Sequence, residues 1–274
     1  MTLAPEAMPQ VEHLTTESDP EISIPAEFMP RVDELITEDD TPVDNIFSAK
    51  QQRLLVEPLY TAWQGGTAKQ SFIADANVGL FALDQNPPIV PDSFVSLDVT
   101  LPADIWKKKH RSYFFWLYGK PPEVVVEVVS NTEGGEDSSR LATYARMRIA
   151  YYVVFDPIDQ LAGGLLRIFA LERTHYQPTD TRWFAEVGLG MVLWEGEYEG
   201  LHATWLRWCD EQGAVIPTGA ELVCVTEQRA EEERTRAEEE RARADGESAR
   251  ADGESARAER LAAKLRALGI DPES

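Results

Sequence analysis

Glu123-Val-Val-Val-Glu127-Val-Val-Ser130 is the stretch that most narrows what this chain of 274 residues can fold into. Pro121-Pro122 precedes it and Gly134-Gly135 follows, so a β-branched run is bounded by residues that interrupt regular structure. Valines on both faces fit a short strand inside a sheet, covered on both sides. One carboxylate, Glu127, breaks the run. Alternation sets it on the face of Val125, opposite Val126 and Val128. A carboxylate buried there must be paired, hydrogen-bonded or held against a cation. The competing reading is a strand-end glutamate that reaches solvent.

A second apolar strand, Ile89–Val99, has the same oddity. It carries Pro91-Asp92 near its start, 35 residues before Glu127. If the two strands are neighbours, their carboxylates face one another. Two anions in a shielded place favour a shared proton or a divalent cation. Hard oxygen ligands, with substrate phosphates completing the shell, suit Mg²⁺, with Mn²⁺ as a substitute. Such an ion would acidify a bound water and offset charge on a phosphodiester.

Charge separates the chain into three parts. The formal net charge is −22, but residues 1–45 alone carry twelve acids against one base. Residues 46–225 carry twenty-two acids and fifteen bases, and residues 226–274 fourteen and ten. This balance argues against a non-specific polyanion binder but leaves room for a local basic surface. Two cysteines, Cys209 and Cys224, have neither metal nor disulfide-framework spacing, so a reducing cytoplasm is expected. No run approaches eighteen apolar residues, and neither secretion nor membrane spanning is expected.

Residues 1–47 read as an acidic, mostly disordered tail, with a short helix near Arg31–Ile36. Leu54, Leu55, Leu59 and Trp63 recur at helical spacing, predicting an amphipathic helix over Ser48–Trp63 that Pro58 kinks or breaks. Strands are predicted over Ser71–Ala76 and Val78–Leu83, then a turn at Asn86-Pro87-Pro88. Leu101–Gly119 reads as helix or loop and holds the basic cluster Lys107-Lys108-Lys109-His110-Arg111. With Tyr113, Phe114, Phe115, Trp116 and Tyr118 beside it, this cluster could grip a phosphate backbone and stack on bases. The other reading makes the lysines a solvated face and the aromatics core. After the valine strand come a helix over Glu136–Met147, a buried strand over Tyr151–Asp156, and a hairpin from Leu165–Leu171 and His175–Trp183. Glu186–Gly200 adds one or two strands. This order predicts an α+β (mixed α/β) domain over residues 48–225. From Ala230, alanine recurs every seven residues at 237, 244, 251 and 258, a heptad period. The seam is thin until Leu261, Leu265 and Leu268, and Gly246 and Gly253 each cost a helix about 1 kcal/mol. Residues 226–274 therefore read as a charged, coiled-coil-like helix that pairs weakly.

Taken together, Pro91-Asp92, Glu127-Val-Val-Ser130-Asn131, a helix ending Tyr144-Ala145-Arg146, and Tyr151-Tyr-Val-Val-Phe-Asp156-Pro157 carry a resemblance. In that order the sequence resembles the bacterial family of putative restriction endonucleases, within the PD-(D/E)XK nuclease superfamily. The likeness covers roughly residues 50–225, and the charged tail resembles that of many members. It implies a restriction-endonuclease-like core: a helix, three antiparallel strands, a helix and a further strand. It also implies that Asp92 and Glu127 are metal ligands, with the main-chain carbonyl of Val128 a third. Glu57, on the first helix, stands where many superfamily members place another acid.

The motif lysine is the departure. Val129 stands two residues after Glu127, and the helix position four before Tyr144, where members commonly carry that lysine, is Arg140. Arginine stays protonated in proteins, so Arg140 can stabilise a phosphorane anion but cannot act as general base. Two readings follow. One is a Mg²⁺-dependent endonuclease acting on nucleic acid, DNA in the first instance, with catalytic residues Asp92, Glu127, Arg140 and Glu57. Lys107, Lys108, Lys109 and Arg111 would then contact the nucleic acid, and a homodimer is a further expected partner. The other is a catalytically impaired nuclease fold that works as a binding or assembly protein. A coiled-coil adaptor is a third, structural possibility.

Overall fold

A computed structural model describes residues 45–66, 68–82, 88–130 and 139–267. The N-terminal tail, with its expected helix at Arg31–Ile36, lies outside them. So do most of the Asn86-Pro87-Pro88 turn, the loop after Ser130 and Leu268. The chain divides into two units, Met1–Ile216 and Pro217–Ser274.

The first unit opens with α1 (Ile46–Pro58), capped by the Asn45 carboxamide, which accepts the Ser48 N–H at 2.8 Å. Pro58 lacks an N–H, and the helix does not continue regularly past it. It widens into a π-turn over Leu59–Trp63, closed by the Gln64 N–H donating to the Leu59 carbonyl at 2.7 Å.

Six strands form the main sheet in the order β1 (Phe72–Asp75), β3 (Ser93–Leu97), β5 (Val124–Val128), β6 (Tyr151–Phe155), β7 (Leu166–Glu172), β8 (His175–Thr179). Within this sheet only the β5–β6 pair is parallel. A parallel pair needs a crossover, and α3 (Ser139–Arg146) lies in that connection. All five residues of β5 are buried, as its valine run predicts. The two faces separate cleanly. Val124, Val126 and Val128 pack with Val95, Val153 and Phe155, together with Leu55 and Leu59 from the first helix and its π-turn. Val125 packs with Phe94, Tyr152 and Val154 beneath Tyr144 of α3.

The sequence-predicted strand Ile89–Val99 is shorter than expected. Ile89 makes an isolated bridge to Leu80, and regular pairing begins only at Ser93, after Pro91. Leu101–Gly119 is an irregular loop with a 3₁₀ turn (Lys108–His110), followed by β4 (Tyr113–Phe114) and the short α2 (Phe115–Tyr118). β4 pairs in parallel with β2 (Leu80–Phe81). Tyr113, Phe114 and Trp116 are buried, so these aromatics are core.

The strand expected over Glu186–Gly200 is the centre of a second sheet, whose last strand, Leu201–Cys209, went unread in the sequence. The sheet runs β11 (Leu201–Cys209), β10 (Leu189–Tyr198), β9 (Trp183–Phe184), and its Leu189, Met191, Leu206 and Trp208 join the core beneath the first sheet. Glu199-Gly200, both at positive φ, form the two-residue turn between β10 and β11. Two side chains from the first helical segment complete strand hydrogen bonding. The buried Gln51 carboxamide donates to the Leu206 carbonyl at 2.8 Å and accepts the Leu206 N–H at 3.0 Å. The Tyr60 hydroxyl does the same for Ala74, at 3.1 and 3.0 Å.

The second unit is one helix, α4 (Gly219–Ala267), of 49 residues. A capping box starts it: the Thr218 hydroxyl accepts the Glu221 N–H at 3.2 Å, and the Glu221 carboxylate accepts the Thr218 N–H at 2.8 Å. Every residue from Leu222 to Ser255 is exposed, and Leu261 is 54% exposed. A seam of alanine and glutamate buries too little apolar area to hold two helices together. Light scattering should therefore give the full-length protein and a version truncated after Val225 the same oligomeric state. Conversion of a dimer to a monomer by the truncation would make the helix an assembly element.

Candidate active site

The antiparallel register Ser93↔Val126 places Asp92 level with Glu127, one step further along the β3–β5 pair. Extending that register brings two acids 35 residues apart in sequence to one end of the sheet, near enough for the Asp92 charge to bear on Glu127. Asp92 is half-buried and Glu127 only 3% exposed.

Two of the described residues donate to Asp92. Its Oδ2 accepts the Val128 N–H at 2.7 Å, prolonging the ladder beyond the last residue pair, and its Oδ1 accepts Gln52 Nε2 at 2.6 Å. Gln52 in turn exchanges hydrogen bonds with the Asn77 carboxamide, at 2.9 and 3.2 Å. A purely structural use of such a carboxylate occurs elsewhere in the same fold. Glu123 accepts the Leu97 N–H at 2.8 Å, and Lys120 donates to the Leu97 carbonyl at 2.7 Å, at the other end of β3. Asp92 differs from Glu123 in having a second, buried acid beside it.

Glu127 is held from α3. Arg140 and Tyr144, one helical turn apart on the same face, both donate to its Oε1, the first as an ion pair and the second through its hydroxyl. The Arg140 guanidinium also lies 3.5 Å from the Val90 carbonyl. Burial pushes the Glu127 carboxyl up to about 8; the Arg140 cation and the Tyr144 hydrogen bond pull it back, while the Asp92 charge adds to the rise. For Arg140, burial acts downward most strongly, but the Glu127 charge, the Tyr144 hydroxyl and the hydrogen bonds to both together leave the guanidinium above its usual value. The two shifts oppose each other, since a neutral Glu127 would no longer favour the cation. Glu127 is the fully enclosed partner and its carboxyl is the one raised, whereas the Arg140 side chain keeps 26% of its surface in solvent. Burial likewise drives the Tyr144 hydroxyl well above its ordinary value, so it acts as a neutral donor.

The other residues singled out in the sequence lie as follows. Glu57 is half-buried on α1, and its charge bears on Tyr198 of β10. Five residues separate it from Gln52, about 140° around the helix, so Gln52 and not Glu57 is the α1 side chain that reaches Asp92. Lys107 and Arg111 are exposed, and Lys108 and Lys109 partly so, in the loop that leaves β3 at the end away from Asp92. Sequence reasoning missed Gln52, Asn77 and the role of Tyr144. Gln52 had left a signal: with Leu55 and Leu59 it falls on the buried stripe, where a polar residue needs a partner.

No curated protein matches the chain. The family model of Uma2, putative restriction endonuclease, matches residues 31–192, a span that takes in Asp92, Glu127, Arg140 and Tyr144. With more than half its length matched, and these four residues gathered at one end of a mixed sheet, the chain belongs to that family.

Proposed function

We propose that this protein is a metal-dependent endonuclease that hydrolyses phosphodiester bonds, with DNA as substrate and Mg²⁺, or Mn²⁺ in its place, as cofactor. The observation that carries the reading is the pair Asp92 and Glu127, level on adjacent strands with the Arg140 cation against one of them. The donor set fits a hard divalent ion. Among the described residues no three His, Cys, Asp or Glu side chains gather, and Mg²⁺ takes one or two carboxylates and completes its shell with water and phosphate. Asp92, Glu127 and the main-chain carbonyl of Val128 would hold it. When bound, it would supply charge neutralisation at the phosphodiester and a more acidic water.

The chain's own residues then divide the remaining work. Gln52 and the Val128 N–H fix the orientation of Asp92. Tyr144 keeps Glu127 in place when Arg140 lets go. Arg140, freed from Glu127, offers planar N–H donors and a permanent charge to the phosphate oxygens as negative charge builds on them. It cannot accept a proton from the attacking water. General-base help is typically worth 10²–10⁴-fold, so cutting should be slow.

One observation favours a second reading, a nuclease fold that binds without cutting: Arg140 closes directly on Glu127. The assay that separates them is plasmid nicking by wild type, Glu127→Ala and Arg140→Lys at matched Mg²⁺ or Mn²⁺. Under our proposal wild type cuts slowly, Glu127→Ala loses at least about 10²-fold, and Arg140→Lys cuts faster. If wild type and Glu127→Ala are equally inert while Arg140→Lys cuts, the binding reading takes over. Inertness of all three on DNA and RNA would leave the family's fold without its activity.

The proposal places the protein in the cytoplasm, where its two free thiols, Cys209 and Cys224, stay reduced. No described helix is long and apolar enough to cross a membrane. A homodimer, if formed, would assemble through the first unit, given the bare seam of α4.

A further inference from the structure

The loop between β3 and β4 holds a residue that the nuclease reading does not use. Trp106 is 79% exposed, while the other six tryptophans are buried or half-buried. Its backbone is pinned on both sides. The Asp104 carboxylate accepts the Trp106 N–H at 3.1 Å, and the Trp106 carbonyl accepts two hydrogen bonds from the Arg111 guanidinium, at 2.9 and 3.2 Å. The buried His110 ring closes the loop against the Asp104 carbonyl, and Lys107 lies 3.8 Å from the Asp104 carboxylate. The large apolar ring is thus presented to solvent on a fixed loop.

Four cations, Lys107, Lys108, Lys109 and Arg111, follow it within five residues, in a chain whose formal charge is −22. A fixed aromatic face next to clustered positive charge is what a nucleic-acid strand needs: a surface for a base to stack on and cations for its phosphates. A base paired inside a duplex keeps both faces covered, so only an unpaired base can use the indole. We infer that this loop is a binding platform for single-stranded nucleic acid, on which Trp106 stacks against a base and the flanking cations neutralise phosphates. The inference rests on the nucleic-acid reading of the family but not on Asp92 or Glu127. Leu101 and Ile105 of the same loop are also apolar and 58% and 42% exposed. The alternative occupant that they raise, an anionic lipid surface, is an outcome of the test.

The experiment is fluorescence anisotropy of a labelled oligothymidylate with the full-length protein in EDTA at low salt, where cleavage plays no part. Wild type should bind; Trp106→Ala should bind about tenfold or more weakly, and Trp106→Phe should retain most of the affinity. Lys107→Ala should flatten the dependence of log affinity on log salt by roughly 0.7, the value of one phosphate contact on a single strand. The same oligonucleotide annealed to its complement should bind more weakly, with no response to Trp106→Ala. Wild-type affinity in Trp106→Ala, or no binding by wild type, overturns the inference. So does binding to phosphatidylserine vesicles through Trp106 without binding to the oligonucleotide. Plasmid nicking by the same variants in Mg²⁺ is a separate readout, so failure of the nuclease reading and failure of the platform are distinguishable.

Discussion

Arg140→Ala, measured by urea unfolding in EDTA, is expected to cost about 3 kcal/mol well above pH 8 and much less at mildly acidic pH. Removing one partner of a buried ion pair typically costs roughly 3–5 kcal/mol, because the other charge is left enclosed. The lower figure applies here, since the Arg140 side chain keeps 26% of its surface in solvent. The sign follows from linkage. The Glu127 carboxyl of the folded protein titrates near 8, above its ordinary value of 4.5. Its ionisation therefore works against folding: stability is fully present below about 4.5 and is lost as pH rises through about 8. Without Arg140 the downward pull disappears and the folded-state value climbs further. Below 8 both proteins carry a neutral Glu127 and differ little; above it the wild type ionises against Arg140, whereas the variant must keep its proton or bury an unpaired anion. Glu127→Gln should flatten the pH dependence, and adding it to Arg140→Ala should recover most of the alkaline loss. An equal loss at both ends of the pH range would mean that Arg140 contributes packing and not charge.

Gln51→Leu should be of similar size and independent of pH. The replacement is close in volume, so no large cavity opens, but it removes both partners of the Leu206 peptide. A buried donor or acceptor left unsatisfied costs roughly 1–3 kcal/mol, and here one of each is stranded. Gln51→Glu offers a finer test. An ionised carboxylate can accept the Leu206 N–H but has nothing to give the carbonyl, whereas the protonated acid can do both. That variant should regain stability as pH falls. Arg53→Leu, two residues on, removes an exposed pairing with Glu199 and should cost less than about 1 kcal/mol. Comparable losses at positions 51 and 53 would show that the carboxamide is not completing the strand.

The elements legible in the sequence were those whose signal is local. Five valines between proline and glycine pairs can hardly be anything but a central strand, and period-two alternation put Glu127 on the face where Tyr144 now lies. The alanine heptads were equally plain, because a helix seam repeats along the chain. Pairing across long separations was harder. Asp92 and Glu127 could be suspected of meeting only because each is the odd residue in an apolar run. Nothing local marks the Ser93↔Val126 register that brings them together. β11 was missed for a different reason. Its Leu201–Cys209 segment mixes Thr, Arg and His with tryptophan, and its strand character depends on β10 alongside. The Glu199-Gly200 turn between them, both at positive φ, was the available clue. Trp106 misleads in the opposite sense, since the five aromatics after the lysines make the stronger cluster in sequence, yet three of those are buried.

The Tyr60 hydroxyl on Ala74 has a consequence for how this protein behaves in a crowd. β1 is an outer strand of the six-stranded sheet, and such a margin ordinarily offers free amides and carbonyls to any extended chain that drifts past. Here the middle of that margin is occupied by a phenol that answers both groups at once. The opposite margin, β8, carries Pro178, which has no N–H to extend a ladder. Strand addition is therefore discouraged at both ends of the sheet, at one by a ring laid across the backbone and at the other by a missing hydrogen. Tyr60→Phe would reopen the first, and its mark would be slow aggregation at high concentration, beyond any change in activity.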